Sequence, residues 1–366
     1  MNRVLVYRLG SIGDTVVALP AFHLIRQHFA SDHITVLTNV PRDQRAAPLA
    51  SVLPPRLYDD ILEYPLGVRN ARQLRTLRAQ IVERTFTLMI SLAESRGFWK
   101  SVRDYGFFWS CRIPEIRGVP FRRSDLRNRL EPGSSVYRSE TNRLLDRLSW
   151  LGTIDPSEDR WWDLELSDGE RQAARSILST LQASKPILAF SVGTKFDTKD
   201  WSQPNWMSLM SRLSAAFSDH SLVSIGAESE RARSQELLDV WSGKTANLCG
   251  RVSPRVSAAV LEQAELFVGH DSGPVHLAAA VGTPCVAVYS ARSLPGHWFP
   301  RGNKTTVFYN RVPCLGCGLE TCVTFAKKCI LSIGVDQVFD AVAARLTRVT
   351  PDVSAVIGVS AGRLQR

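Results

Sequence analysis

The chain has 366 residues, 44% of them hydrophobic and 22% charged, a balance that excludes a disordered or membrane-embedded chain. Its length suits two domains better than one core. No apolar run reaches the roughly 18 residues of a membrane-spanning helix, and the four apolar residues before Arg8 are too few for the core of a signal peptide.

A cytoplasmic protein is therefore expected. The net charge of +10 is lopsided: residues 1–150 hold 23 Lys+Arg against 14 Asp+Glu, and residues 151–366 hold 22 against 21. Lys100 is the sole lysine of the basic half, and arginine suits bidentate contact with phosphate or carboxylate. An arginine-rich composition explains this blandly. The sharper reading is an anionic partner, either a membrane surface or a phosphorylated glycolipid. Nucleic acid ranks last, because no basic motif interleaved with aromatics stands out.

Val4 to Tyr7 reads as a buried strand, and Arg8 to Asp14, RLGSIGD, as a glycine-containing loop. Helical spacing follows from Thr15 to Phe29, with a kink expected at Pro20. Ile34 to Leu37 is the next strand, which opens a doubly wound α/β domain. GSIGD is not GxGxxG, so a dinucleotide fingerprint is disfavoured. Its two glycines let a ligand approach the backbone. Asp14 is either a helix cap or a carboxylate that accepts a proton from an attacking hydroxyl.

Pro41 to Pro55 is loop-like. Arg69 to Glu83 is a helix with the stripe Leu74, Leu77 and Ile81, and Phe86 to Leu92 is a strand. Arg112, Arg117, Arg122, Arg123, Arg127 and Arg129 fall within eighteen residues, as a solvated loop or as a grip on an anionic acceptor. Arg8, Ser11, Arg112, Arg117, Arg122 and Arg123 are the acceptor-side candidates. Tyr137 to Leu151 reads as the helix closing this domain, and Gly152 to Asp168 as the crossover.

A helix from Asp168 to Leu181 and a strand from Pro186 to Phe190 open the second domain. Gly193 and Thr194 turn at the end of that strand, and Lys195 and Lys199 follow within reach of an anion. Leu222 to Ile225 is a strand, after which Glu228 or Glu230 could accept from ribose hydroxyls. Ala246 to Gly250 and Ser257 to Ala264 give a further strand and helix. Leu266 to Tyr289, LFVGHDSGPVHLAAAVGTPCVAVY, then reads as strand, tight loop, helix, turn and strand. Asp271 or Ser272 caps its helix, Pro274 fits the first turn, and Gly282 ends it. This aims a helix N-terminus at the carboxyl edge of a parallel sheet, where its N–H groups and dipole favour a phosphate. His276 is expected to face the same crevice. Cys314, Cys317, Cys322 and Cys329 then fall within sixteen residues, as structural thiols, a zinc site or disulfides. Val335 to Leu346 is helical, and the tail is expected to be loosely ordered.

GHDSGPVHLAAAVGTPCVAVYS and RLGSIGDTVVALPA resemble the signature and opening motifs of glycosyltransferase family 9, the lipopolysaccharide heptosyltransferase-like enzymes. The resemblance spans most of the chain and is specific at residues 4–21 and 266–290. It implies an α/β fold of two facing Rossmann-like domains, the GT-B architecture: 1–165 for the acceptor, 166–348 for a nucleotide-sugar, and 349–366 as a tail. It implies Asp14 as catalytic base and Lys199, before Trp201, as a contact to the donor phosphates. Ser202 and Gln203 separate Trp201 from Pro204, a departure from the family segment. Thr194, Glu230, Asp271, Ser272, Gly273 and His276 complete the donor-side candidates. The donor implied is ADP-heptose and the acceptor an anionic inner-core glycolipid, met at the cytoplasmic face of the inner membrane. Many relatives carry a similar cysteine cluster, and no Asp-x-Asp motif appears, so no obligatory metal is expected. The alternatives are a nucleotide-binding protein without catalysis and a nucleotide-sugar epimerase.

Overall fold

A computed structural model describes residues 2–40, 47–65, 70–181 and 186–347, with the backbone of 356–360. The chain divides into two compact units, Met1–Leu164 and Glu165–Arg366. Each is built on one parallel sheet. Neighbours in the first sheet run β3-β2-β1-β4-β5, and in the second β12-β11-β10-β9-β6-β7-β8.

In the first unit the strands are β1 (Arg3–Tyr7), β2 (His33–Val40), β3 (Asp60–Pro65), β4 (Leu88–Ser91) and β5 (Glu115–Arg117). Val4, Leu5 and Val6 are wholly buried, as an apolar run covered on both faces must be. Helices α1 (Ile12–Val17) and α2 (Leu19–His28) replace the single kinked helix expected there. The break falls at Ala18, because Pro20 lacks an N–H and takes a first-turn position of α2. Four more helices follow: α3 (Ala71–Glu83), α4 (Phe98–Ser110), α5 (Arg123–Leu126) and α6 (Glu140–Arg147). Leu77 and Ile81 of the α3 stripe are buried, whereas Leu74 is exposed. Arg69 and residues 41–46 of the expected loop lie outside the described residues.

The second unit holds β6 (Ile187–Ser191), β7 (Ser221–Ser224), β8 (Thr245–Asn247), β9 (Leu266–His270), β10 (Cys285–Val288), β11 (Thr305–Arg311) and β12 (Val356–Ser360). Its helices are α7 (Asp168–Leu178), α8 (Gln203–Ala216), α9 (Arg231–Asp239), α10 (Pro254–Leu261), α11 (Gly273–Ala280), α12 (Lys328–Leu331) and α13 (Val335–Leu346). Trp201 and Trp206 are fully buried among Leu209, Leu213, Val268 and Ile330. The tail corrects its expectation in part. Residues 356–360 pair in parallel with β11, Val307 opposite Val356, so small residues here extend a sheet. Residues 349–355 and 361–366 lie outside the described residues.

Both sheets reverse direction once. In the first, the chain builds outward one way from β1 and the other way from β4; in the second, β6 and β9 are the neighbours where the order reverses. The carboxyl ends of such strand pairs diverge their crossovers and open a crevice, where ligands of α/β sheets bind.

Candidate active site

In the first unit the crevice between β1 and β4 is lined by the chain that leaves Tyr7. Arg8 turns inward and is 1% exposed. Its guanidinium donates to the carbonyls of Leu92 and of Asp14, the latter at 2.6 Å. It also lies 3.9 Å from Glu140. Arg143 and Arg147 reach the same carboxylate at 3.2 and 4.0 Å. Three buried guanidiniums thus share one carboxylate, and backbone carbonyls accept from several of their Nη groups. Arg147 donates at 3.0 Å to Ala93 and Gly118, and burial pulls its pKa down to about 10. Arg8, an acceptor-side candidate, is thus buried, with its guanidinium engaged within the protein. It is a strut between β4 and α1.

Ser11 is the N-cap of α1, and Asp14 closes a capping box onto it. Asp14 Oδ2 accepts from the Ser11 N–H at 2.8 Å and from Ser11 Oγ at 3.2 Å. Among the described residues Oδ1 takes no hydrogen bond. Asp14 is half-buried, and Gly10, with φ of +123°, packs against it. A Cβ at Gly10 would meet the Asp14 side chain at 2.3 Å, so only glycine fits both the backbone and the space. The cap reading and the base reading of Asp14 are compatible: one oxygen holds the helix and the other faces outward from that bond.

In the second unit the loop after β6 and the N-terminus of α11 meet. Lys199 Nζ lies 2.8 Å from Asp271 Oδ2 and donates to the Asp271 carbonyl at 3.2 Å. Ser272 is the N-cap of α11, yet its side chain makes no capping bond. Among the described residues its Oγ is enclosed without a hydrogen-bond partner. Neither expected cap is used: Asp271 is held by Lys199, and Ser272 is extended at φ of −150°. By contrast Ser253 caps α10 through the Val256 N–H at 3.2 Å. Among the described residues the first turn of α11 thus has no side-chain cap, and its N–H groups are those of Gly273 and Val275, Pro274 having none. Thr194 Oγ donates to the Phe196 carbonyl at 2.9 Å. Three cations surround the Phe196 ring: Lys195 at 5.5 Å, Lys199 at 6.0 Å and Arg292 at 4.2 Å. His276 is buried within α11, at 4% exposure.

Glu230 tucks under the ends of β6 and β7. Its Oε2 accepts from the Ala227 N–H at 2.9 Å. Burial pushes its carboxyl pKa up. Gly193 and Gly226 make this room, since a Cβ on either would come within 1.9 or 2.1 Å of the carboxylate. Glu228, the other ribose candidate, is exposed and paired with Arg231.

His270 escaped sequence reading because it sits in a run of turn residues. The structure makes it the last residue of β9, fully buried. Its Nε2 accepts from the Trp201 N–H and from Trp206 Nε1, both at 3.0 Å. Indole and amide are donors only, so Nε2 is unprotonated. Burial holds the ring neutral, with a pKa pulled down to about 3. The bond to Trp201 fixes the chain two residues after Lys199 and one residue before Asp271.

Residues 147–327 match the model of glycosyltransferase family 9 (heptosyltransferase). The chain belongs to glycosyltransferase family 9. Its members are glycosyltransferases, and so is this chain. Lipopolysaccharide heptosyltransferase 2 of Salmonella typhimurium is 26% identical over 329 residues, covering 83% of this chain and 87% of its own. Among solved structures, a family 9 glycosyltransferase from Veillonella parvula superposes with a TM-score of 0.71 at 19% identity, covering 95% of this chain and 98% of its own. The ADP-heptose LPS heptosyltransferase II of Escherichia coli gives 0.66 at 19%, over 95% and 99%. The GT-B class of two parallel-sheet α/β domains is shared with these structures.

Elsewhere in this family 9 chain, the remaining arginines scatter. Arg117 pairs with Glu115 at 2.6 Å and lies over Trp150. Arg122 and Arg123 stand exposed at the start of α5, and Arg112, with φ of +63°, is exposed before β5. All seven cysteines are free thiols. Among the described residues no three His, Cys, Asp or Glu side chains are gathered as a metal site.

Proposed function

We propose that this glycosyltransferase moves a heptose from ADP-heptose to a lipopolysaccharide core or similar anionic glycan, with inversion at the anomeric carbon. The observation that carries the reading is the uncapped N-terminus of α11 beside Lys199, at the reversal point of the second sheet. Free N–H groups, a helix dipole and a half-buried ammonium suit a diphosphate and the charge that grows on it as the sugar departs. The adenosine and the heptose come from the relative in Escherichia coli, which is described as an ADP-heptose enzyme.

The second unit binds the donor. Lys199, Thr194 and the N–H groups of Ser272 and Gly273 steady the leaving diphosphate, and Glu230 accepts from the ribose hydroxyls. Asp271 holds Lys199 in place and, being anionic, does not itself face phosphate. His276 shapes the first turn of α11. The first unit binds the acceptor. Asp14 takes the proton of its hydroxyl on Oδ1, the freed oxygen attacks the anomeric carbon, and the bond to the diphosphate breaks as ADP leaves. No metal enters these steps. Among the described residues no helix is long and apolar enough to cross a membrane, and a lipid-borne acceptor calls for work at the cytoplasmic face of the inner membrane.

Thermal unfolding with ADP, UDP and GDP tests the donor. A ligand at a hundred times its dissociation constant adds about 2.7 kcal/mol of stability. A rise with ADP alone is expected. A rise with UDP or GDP alone contradicts the adenosine assignment, and no rise with any of them contradicts the donor site.

A further inference from the structure

Helix α4 carries its apolar stripe on the wrong face for a core helix. Phe98, Val102, Tyr105 and Trp109 follow the i, i+4, i+7, i+11 spacing of a single helix face, and all four are exposed. The buried residues of the helix, Ser101 and Phe108, lie on an adjoining face, roughly a quarter turn from this stripe. Trp99 and Trp109 are 80% and 70% exposed. Phe121, from the chain before α5, joins the patch, its ring 6.2 Å from Phe98 and 5.7 Å from Tyr105. A contiguous exposed patch of this kind marks a docking surface.

We infer that this face of α4 seats the enzyme on an anionic lipid bilayer. The rim decides the occupant. Arg122 and Arg123 directly follow Phe121 of the patch and are exposed, as are Lys100, Arg112 and Arg103, the last paired with Asp104, in the half of the chain that holds a surplus of nine positive charges against one in the other half. Two copies meeting on this face would press basic rims together, whereas an anionic leaflet complements them. Trp and Tyr favour the headgroup boundary, where the ring is apolar and the N–H or O–H stays wet. Helix α4 also follows β4, one strand from β1, so the seat lies on the chain that leaves the same sheet crevice as Asp14. The inference stands on α4 and does not depend on the sugar transferred.

Flotation with vesicles tests it, using the full chain, its Trp99→Ser/Trp109→Ser double variant, and light scattering on both. Wild type is expected to float with phosphatidylcholine containing about a third phosphatidylglycerol, and to stay behind with phosphatidylcholine alone or in molar salt. The double variant is expected to bind at least about tenfold more weakly, with an unchanged unfolding temperature because neither indole is in the core. Wild type that stays in solution with anionic vesicles overturns the proposal, as does a double variant that floats equally well. A wild-type dimer that becomes a monomer in the double variant, without vesicle binding, assigns the face to a second copy and likewise overturns it. ADP binding is read on the same samples, so failure of the lipid seat is separable from failure of the donor site.

Discussion

Glu230 shows how much single residues decide here. Its carboxylate fits because Gly193 and Gly226 lack side chains, and the nearest atoms to an added Cβ belong to Glu230 itself. Gly193→Ala should therefore displace a flexible side chain rather than the backbone. The expected result is ADP binding weakened roughly ten- to a hundredfold by calorimetry, the loss of one or two charge-assisted hydrogen bonds, with little change in unfolding temperature. Equal ADP affinity would remove Glu230 from the donor site. Asp14 was singled out by its place after Gly13 at a helix start, and Lys199 and Glu230 by the family resemblance. The burial of Arg8 was not legible. Its partner Glu140 lies 132 positions away, and nothing local marks an arginine as buried. The i, i+3, i+7 spacing of Glu140, Arg143 and Arg147 was the one available signal.

At the scale of elements, β9 and α11 owe their position to a tryptophan clamp. His270 at the end of β9 accepts from Trp201 and Trp206, which reach it across the core from the start of α8. Leu266 to Tyr289 was legible as strand, helix and strand from its cap, proline and glycine residues. The clamp was not, since it joins segments 64 and 69 residues apart. It has a pH consequence. The folded ring binds a proton only near pH 3, and the unfolded ring near 6.5. Its contribution is complete above pH 6.5 and drains away as pH falls toward 3, by about 1.4 kcal/mol per pH unit. His270→Gln keeps an acceptor without a titrating group. Its stability curve, subtracted from that of wild type, should isolate this slope between about pH 6 and pH 4. A flat difference would mean that His270 is not buried neutral. Helix α4 went unread for a different reason: periodicity shows that a stripe exists, not which way it faces.

For the whole molecule, two parallel sheets, each reversing once, set one crevice in each unit. The alternation of apolar runs with capped helices announced both sheets, and the resemblance at residues 4–21 and 266–290 announced the family. What the sequence left open was the packing within each unit, where long-range partners hold the short site segments. The division of chemistry is the central claim: the first unit supplies the base and the second the donor site. The direct measurement is the mass of a delipidated inner-core acceptor after incubation with ADP-heptose, using wild type and Asp14→Asn side by side. Asparagine keeps an acceptor for the Ser11 N–H but cannot take a proton. Wild type should add one heptose. The variant should bind ADP equally and transfer roughly a hundred- to ten-thousand-fold more slowly. Equal transfer by the variant, or none by wild type with ADP bound, would contradict the account.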